Sequence, residues 1–288
     1  MRQPCREPEK PRFSHGDTEI RLSLRLRVSV AKERWEWAEI LDQLFITFVQ
    51  YCGPDYLESN PEDSGQTWHK RGPFAVMNAT VITASDPVYP NGIEERLGET
   101  LPIAAVGNLD LLQSRPLALF CSIKCPGDVI LRAYDLVRDI RDAGVPIIGG
   151  FHSPMEKECL ALLLRGTEPF LVCPARSIEK MRLPSAWKKP LDEGRLLVLS
   201  PFSQKHRRVT ADRSQRRNLF IAALAGQVLV AHAGRGSKTE HLCGKAISWG
   251  KPVWTLASKD NEHLLAIGAR HLKPEDVPAL AGNWQRIT

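Results

Sequence analysis

The sequence predicts an α/β protein: a doubly wound, mostly parallel, six-stranded Rossmann-like sheet with a small N-terminal α+β appendage. Three observations carry that prediction. Between about residues 116 and 256, a helical pattern ends at glycine five times and a short apolar strand begins at once. The junctions are RDAG/VPII at Gly144, LLLRG/TEPFLVC at Gly166, LDEG/RLLVLS at Gly194, ALAG/QVLVAHA at Gly226 and SWG/KPVWTL at Gly250. The six strand candidates, LALFC, VPIIG, PFLVC, RLLVLS, QVLVAHA and PVWTL, are almost wholly apolar, as strands are when both faces are covered. Strands alternating with helices call for crossovers of one hand and therefore a parallel sheet.

Each element has its own signal. Residues 1–19 are polar and proline-rich and predict a disordered start. IRLSLRLRVSV (20–30) alternates, with Ile20, Leu22, Leu24, Leu26, Val28 and Val30 on one side; period two means a half-buried strand. Over 31–51 the spacing turns helical, with Trp37, Leu41, Leu44 and Phe48 on one stripe, and 56–74 reads as loop. The N-terminal appendage is set at 1–75, the Rossmann-like domain at 76–256 and a C-terminal tail at 257–288. Within the domain, DVILRAYDLVRDIRDAG carries Val129, Ala133, Leu136 and Ile140 on one face. The five glycines are expected at C′, where the left-handed conformation closes a helix.

Composition narrows the function. Of the 288 residues 43% are hydrophobic and 25% charged, as in globular proteins. No run of 18 apolar residues suits a membrane helix, and the N-terminus lacks the apolar core of a secretory signal. The expected location is the cytoplasm, with no membrane partner. Seven cysteines are scattered without a CxxC pair. Cys121 and Cys173, inside apolar strands, read as reduced core thiols, and His241 with Cys243 lacks the second ligand pair a metal site needs. No metal and no cofactor are expected. From Arg195 to Thr255 there are eleven Lys/Arg against two acids, Asp212 and Glu240, in a chain whose whole net charge is +6. That basic block points to a polyanionic partner.

In such a fold ligands bind beyond the carboxyl ends of the strands. The exits are Ser122–Gly127, Gly149–Pro154 with His152 and Ser153, Pro174–Ser177 with Arg176, PFSQKHRRVTADRSQRRN with six Lys/Arg between 205 and 217, and AHAGRGSKTEHL. Small residues, hydroxyls and cations gather there with helix N-termini, which is chemistry for phosphate. Nucleotide hydrolysis is not expected: aligned on Lys238-Thr239, a Walker loop would find His232 and Ser237 where its glycines belong. The dinucleotide fingerprint is missing after the first strand, where CSIKCPG stands, and Gly149-Gly150 occupies the place of the ribose-binding acid. No catalytic residue is assigned, since His152-Ser153 does not form a nucleophile elbow. Glu156 and Glu158 are expected to face solvent, and His232 to be a satisfied core histidine.

These loops, in this order, resemble the DprA/Smf family of DNA-processing proteins over about residues 86–256. The lead-in carries Tyr89-Pro90, Leu97, Pro102 and Gly107. CSIKCPG is similar to the family's GSR turn, keeping Ser122, with Ile123 where the arginine is expected and Lys124 one position later. GGFHSP matches by placement, and Arg217-Asn218 precedes an apolar helix. AHAGRGSKTEHL resembles the family's SGSxxTA loop at Gly236, Ser237 and Thr239. The family's usual C-terminal winged helix has no counterpart over 257–288.

The resemblance implies an extended Rossmann fold and non-enzymatic binding of single-stranded DNA, in DNA processing and protection during natural transformation or recombination. It also implies a RecA-type recombinase as partner and a homodimer. Lys124, Arg176, Arg207, Arg208, Arg217 and Lys238 would neutralise phosphates; Gly150, Ser153, Gly236, Ser237 and Thr239 would offer N–H and hydroxyl groups; Ser122, His152 and Asn218 complete the set. Phe151 and Phe202 are the aromatics available for stacking. Arg217 opens a helix on this reading, so its loss should leave folding intact. Two alternatives use the same pocket. One is a nucleotide sensor or antitoxin-like partner of an effector from an adjacent gene. The other is a nucleotide phosphoribohydrolase, whose loop glutamate would be Glu240.

Overall fold

The computed structural model describes residues 79–282. The strand expected over 20–30, the helix over 31–51, the loop over 56–74, and with them the 1–75 appendage and its disordered start, lie outside the described residues. Among the described residues nine strands form one sheet. In chain order they are β1 (Thr80–Ile82), β2 (Ile103–Gly107), β3 (Leu117–Cys121), β4 (Ile147–Gly149), β5 (Phe170–Val172), β6 (Leu196–Ser200), β7 (Gln227–His232), β8 (Val253–Thr255) and β9 (Arg270–His271). The six predicted strands are β3 to β8, and all run parallel.

The sheet order is β1-β2-β6-β5-β4-β3-β7-β8-β9. From β3 the chain builds outward through β4, β5 and β6, then returns across the sheet to β7 and builds the other way. The switch point falls between β3 and β7. The three strands not predicted sit at the rims. β1 and β2 run antiparallel, with β2 pairing β6 from Ala104↔Ser200 to Gly107↔Leu197. β9 is a two-residue parallel addition to β8, too short to give a periodic signal.

Helices cover both faces: α1 (Ile93–Leu97), α2 (Gly127–Asp142), α3 (Pro154–Arg165), α4 (Lys188–Asp192), α5 (Ala211–Leu224), α6 (Lys238–Ser248), α7 (Glu262–Ala266) and α8 (Val277–Gly282). The pleat divides the strand side chains between two cores. Leu117, Leu119 and Cys121 of β3 pack with α2 and α3, whereas Ala118 and Phe120 pack with α5 and α6. β5 and β6 alternate in the same way. This two-sided burial is why the strands read as continuous apolar runs, each large side chain contributing about 1.5–3 kcal/mol. The segment expected as a tail enters the same fold as far as 282: Leu264 joins one core, and Leu272, Val277 and Leu280 the other.

The helix-closing glycines divide by cause. Gly144, Gly194 and Gly250 take the left-handed conformation expected of them, with φ of 77°, 70° and 71°. Gly166 does not, having φ −77°, and Gly226 is not among the positive-φ residues. Close approach explains both. A Cβ at Gly166 would stand 2.6 Å from Arg141 Cδ, and one at Gly226 would stand 2.8 Å from the Arg115 carbonyl oxygen.

A candidate anion-binding edge at the strand exits

The exits of β6, β5, β4, β3 and β7 stand side by side along one edge of the sheet. Four strand spacings of about 4.8 Å make that rim about 19 Å long. At its switch point the β3 turn and the β7 loop are tied together. Ser122 Oγ accepts from the N–H of Gly234 at 3.3 Å, and the N–H of Ser122 donates to the His232 carbonyl at 2.9 Å. Lys124 and Lys238 are exposed on either side. α2 begins after Pro126 without a side-chain cap, so its first N–H groups face the switch unpartnered by a cap. α6 starts from Ser237, with Gly236 at φ 67°, and Lys238 and Thr239 hold its first two positions. His232 is the buried, satisfied histidine expected, with Nδ1 2.9 Å from Asn261 Oδ1.

Two carboxylates, Glu156 and Glu240, occupy this edge from within, a role the sequence analysis gave to neither. Glu156 does not face solvent; it is buried, as is Glu158. Its Oε1 accepts from the N–H of Cys121 at 2.9 Å, and its Oε2 from the N–H groups of His152 (2.8 Å) and Ser153 (3.4 Å). Ser153 Oγ in turn accepts from the N–H of Glu156, closing a capping box. The N–H groups expected to greet a phosphate at α3 are therefore taken. Glu240 repeats the pattern at α6. Its N–H donates to Ser237 Oγ at 3.2 Å, and its Oε2 accepts from the N–H of Gly236. Its Oε1 lies 3.5 Å from the buried Nε2 of His263. The signal was legible: SPME (153–156) and SKTE (237–240) are both Ser-x-x-Glu, the capping-box spacing.

Arg217 is a second correction. It stands in the interior of α5, buried, rather than opening a helix. One guanidinium nitrogen donates to the Cys173 carbonyl at 3.0 Å and Nε donates to Asn218 Oδ1 at 2.7 Å. Asn218 is thereby engaged as well. Burial pushes the Glu156 carboxyl up from its ordinary value, while Arg217 and the three N–H groups pull it down. Burial, then Arg217 and Lys157, push the His152 imidazole down. A neutral ring suits a hydrogen bond to a phosphate or a base edge, not an ion pair.

Gly150 is what lets Arg217 reach this position. A Cβ there would fall 1.6 Å from a guanidinium nitrogen. We therefore expect Gly150→Ala to displace the guanidinium from Cys173 at a cost of about 1–3 kcal/mol, read as a lowered urea midpoint.

The stacking aromatics are also absent from the rim. Phe151 is buried at φ 48°, its ring folded under Gly149, and Phe202 is buried with its edge against His206. A left-handed aromatic costs about 1–2 kcal/mol, and such strain concentrates at functional turns. Farther along, the Arg176 carbonyl accepts from Ser200 Oγ at 2.8 Å, and the N–H of Ser177 donates to the His206 carbonyl at 2.8 Å, pinning the β6 loop. Arg207 and Arg208 stand exposed on that loop. In the first turns of α5, which follows, Arg213 donates to the Arg208 carbonyl at 2.6 Å and Arg216 pairs with Glu99 at 2.8 Å. Among the described residues no group of three or more His, Cys, Asp or Glu could hold a metal, and no helix is long and apolar enough to cross a membrane.

The family model for DNA recombination-mediator protein A matches residues 80–277 of the 288. The chain belongs to that family. In fold it is similar to DNA processing protein A (DprA) from Streptococcus pneumoniae, with 20% identity and a TM-score of 0.61 over 73% of this chain and 76% of the other. It is also similar to DNA processing protein A from Helicobacter pylori, whose structure concerns its single-stranded DNA binding mode. There identity is 16% and the TM-score 0.58, over 71% of this chain and 97% of the other. No curated protein matches it in sequence.

In this member of the recombination-mediator A family the β3 and β7 exits are tied through Ser122 and Gly234. Ile123, standing where the DprA/Smf arginine is expected, is 63% exposed. The family match runs to 277, so β9 belongs to the matched region. Glu240, the glutamate the hydrolase alternative would need, is spoken for by Gly236 and His263.

Proposed function

We propose that this recombination-mediator A family chain binds single-stranded DNA, without cleaving it, in DNA processing during transformation or recombination. The observation that carries the reading is the Ser122–Gly234 hydrogen bond. It holds the β3 turn and the β7 loop together and so sets Lys124 and Lys238 about one switch point. Two features add support. A rim of about 19 Å is longer than one nucleotide needs. The Helicobacter pylori protein of like fold is described by its single-stranded DNA binding mode. On this reading Arg207 and Arg208 meet phosphates at one end of the track, Lys124, Lys238 and Thr239 at the other, with His152 between.

Titration of a fluorescent oligothymidylate at two salt concentrations tests it. Single strands lose about 0.7 of a power of salt per phosphate contacted, so four contacts predict an affinity about fiftyfold lower at 200 mM than at 50 mM. A salt-insensitive affinity would overturn the proposal. The burial of Phe151 and Phe202, which leaves the rim without an expected stacking platform, favours a second reading in which the ligand is a free nucleotide. In that case a mononucleotide binds as tightly as a twelve-mer; on the leading reading affinity climbs with length.

A further inference from the structure

The edge of the sheet opposite the rim, where the parallel strands begin, holds an amine that the binding site does not use. Lys251 lies between α6 and β8, half-buried, with its backbone N–H donating to the Ala246 carbonyl at 3.2 Å. Its Nζ donates to the Ala223 carbonyl at 2.9 Å and to the Ala225 carbonyl. Both stand at the end of α5, where carbonyls run out of helical partners. Arg96 of α1 donates to the same Ala223 carbonyl at 3.1 Å and to the Asn91 carbonyl at 3.3 Å. Two side chains that are ordinarily cations thus share one oxygen. Arg115, in the turn before β3, is the second guanidinium that bears on the amine. Among the described residues no carboxylate is paired with Lys251 or Arg96.

We propose that Lys251 is an acylation site whose amine, seated on the Ala223 and Ala225 carbonyls beside Arg96 and Arg115, attacks acyl phosphates. The seat suits a neutral amine. Its two N–H groups meet two carbonyls and its lone pair is left over. An ammonium would bring a third N–H, for which the described residues supply no acceptor. The charges act in the same direction. Burial first, then Arg96 and Arg115, push the amine down to about 7, whereas an ordinary lysine titrates near about 10.4. An amine that sheds its proton near neutrality is a nucleophile there. The two guanidiniums also choose the acyl donor: they favour one whose leaving group is an anion, as phosphate is.

The step balances without an oxidant or reductant. The Nζ lone pair attacks the acyl carbon and a C–N bond forms. The bond from that carbon to the phosphate oxygen breaks, and its electron pair leaves with the phosphate. One of the two amine protons goes to the departing phosphate, which leaves as inorganic phosphate. The product amide keeps a single N–H, so one of the Ala223 and Ala225 carbonyls loses its donor.

The test needs no DNA, so its outcome is separate from that of the binding proposal. The full chain is treated with limiting acetyl phosphate between pH 6 and 10, and acetylation at each lysine is followed by peptide mass. At pH 7.5 Lys251 should be acetylated about tenfold faster than the exposed Lys124 and Lys238, because far more of it is free base. Its rate should climb as pH rises through about 7 and then level, while theirs go on climbing towards pH 10. Arg96→Gln removes one of the two cations and should move the Lys251 rise to higher pH, in a protein whose unchanged urea midpoint shows it folded. A Lys251 acetylated no faster than Lys124 and Lys238 in the parent chain, or one whose rate parallels theirs up to pH 10, overturns the proposal.

Discussion

Arg217→Ala destabilises the folded chain by about 3 kcal/mol, seen as a shift of the whole urea transition and not as a local binding defect. The substitution removes a charge-assisted donor from the Cys173 carbonyl, a bond of about 1.5–3 kcal/mol. It also removes the cation that most lowers the pKa of buried Glu156, and stranding a buried charge is the costlier half of breaking such a pair. The pH dependence supplies a check. Without Arg217 the Glu156 pKa rises further above its unfolded value. The variant's penalty is therefore full above the raised pKa, where Glu156 must ionise, and shrinks as pH falls through it and the carboxyl takes up its proton. Adding Glu156→Gln should recover part of the loss, so the double variant costs less than the two single changes together. An Arg217→Ala protein that unfolds at the parent midpoint at pH 7 would show that the guanidinium does not support the fold.

Lys238→Glu weakens oligonucleotide binding at least tenfold, about 1.4 kcal/mol, while Glu240→Gln strengthens it. Lys238 occupies the first position of α6, where reversing the charge opposes both the phosphate and the helix dipole. Glu240 puts a carboxylate on the N–H of Gly236 in the same loop. The amide oxygen of glutamine keeps that hydrogen bond and drops the charge, leaving the loop shaped but less repulsive to an anion. Lys238→Glu should also flatten the salt dependence by about 0.7 of a power, the loss of one phosphate contact on a single strand. If both variants titrate like the parent at two salt concentrations, the switch point is not where the strand lies.

Much of this molecule was legible one element at a time. Two-sided burial writes itself as apolar runs, so β3 to β8 stood out, while β2 escaped. IAAVG (103–107) is as apolar as the others, but its partner is β6, nearly a hundred residues later and antiparallel, and pairing at that distance leaves no periodic trace. The candidate edge was legible as a list of glycines, hydroxyls and cations. Its internal carboxylates were legible as well, in SPME and SKTE, yet their consequence was not: only the fold shows Glu156 turned inward onto Cys121, His152 and Ser153.

By itself the sequence determined the α/β class, the parallel direction of the central strands and which loops leave their carboxyl ends, because these follow from local period and from the alternation of strands with helices. Tertiary structure alone decided which of the candidate groups are available to a ligand. Arg217, Ser153 and the two phenylalanines face inward, whereas Lys124, Arg207, Arg208 and Lys238 face water. Burial is a relation between segments distant in sequence: Arg217 lies as it does because Gly150 has no side chain and the Cys173 carbonyl is there to accept its hydrogen bond, and neither fact can be read at position 217.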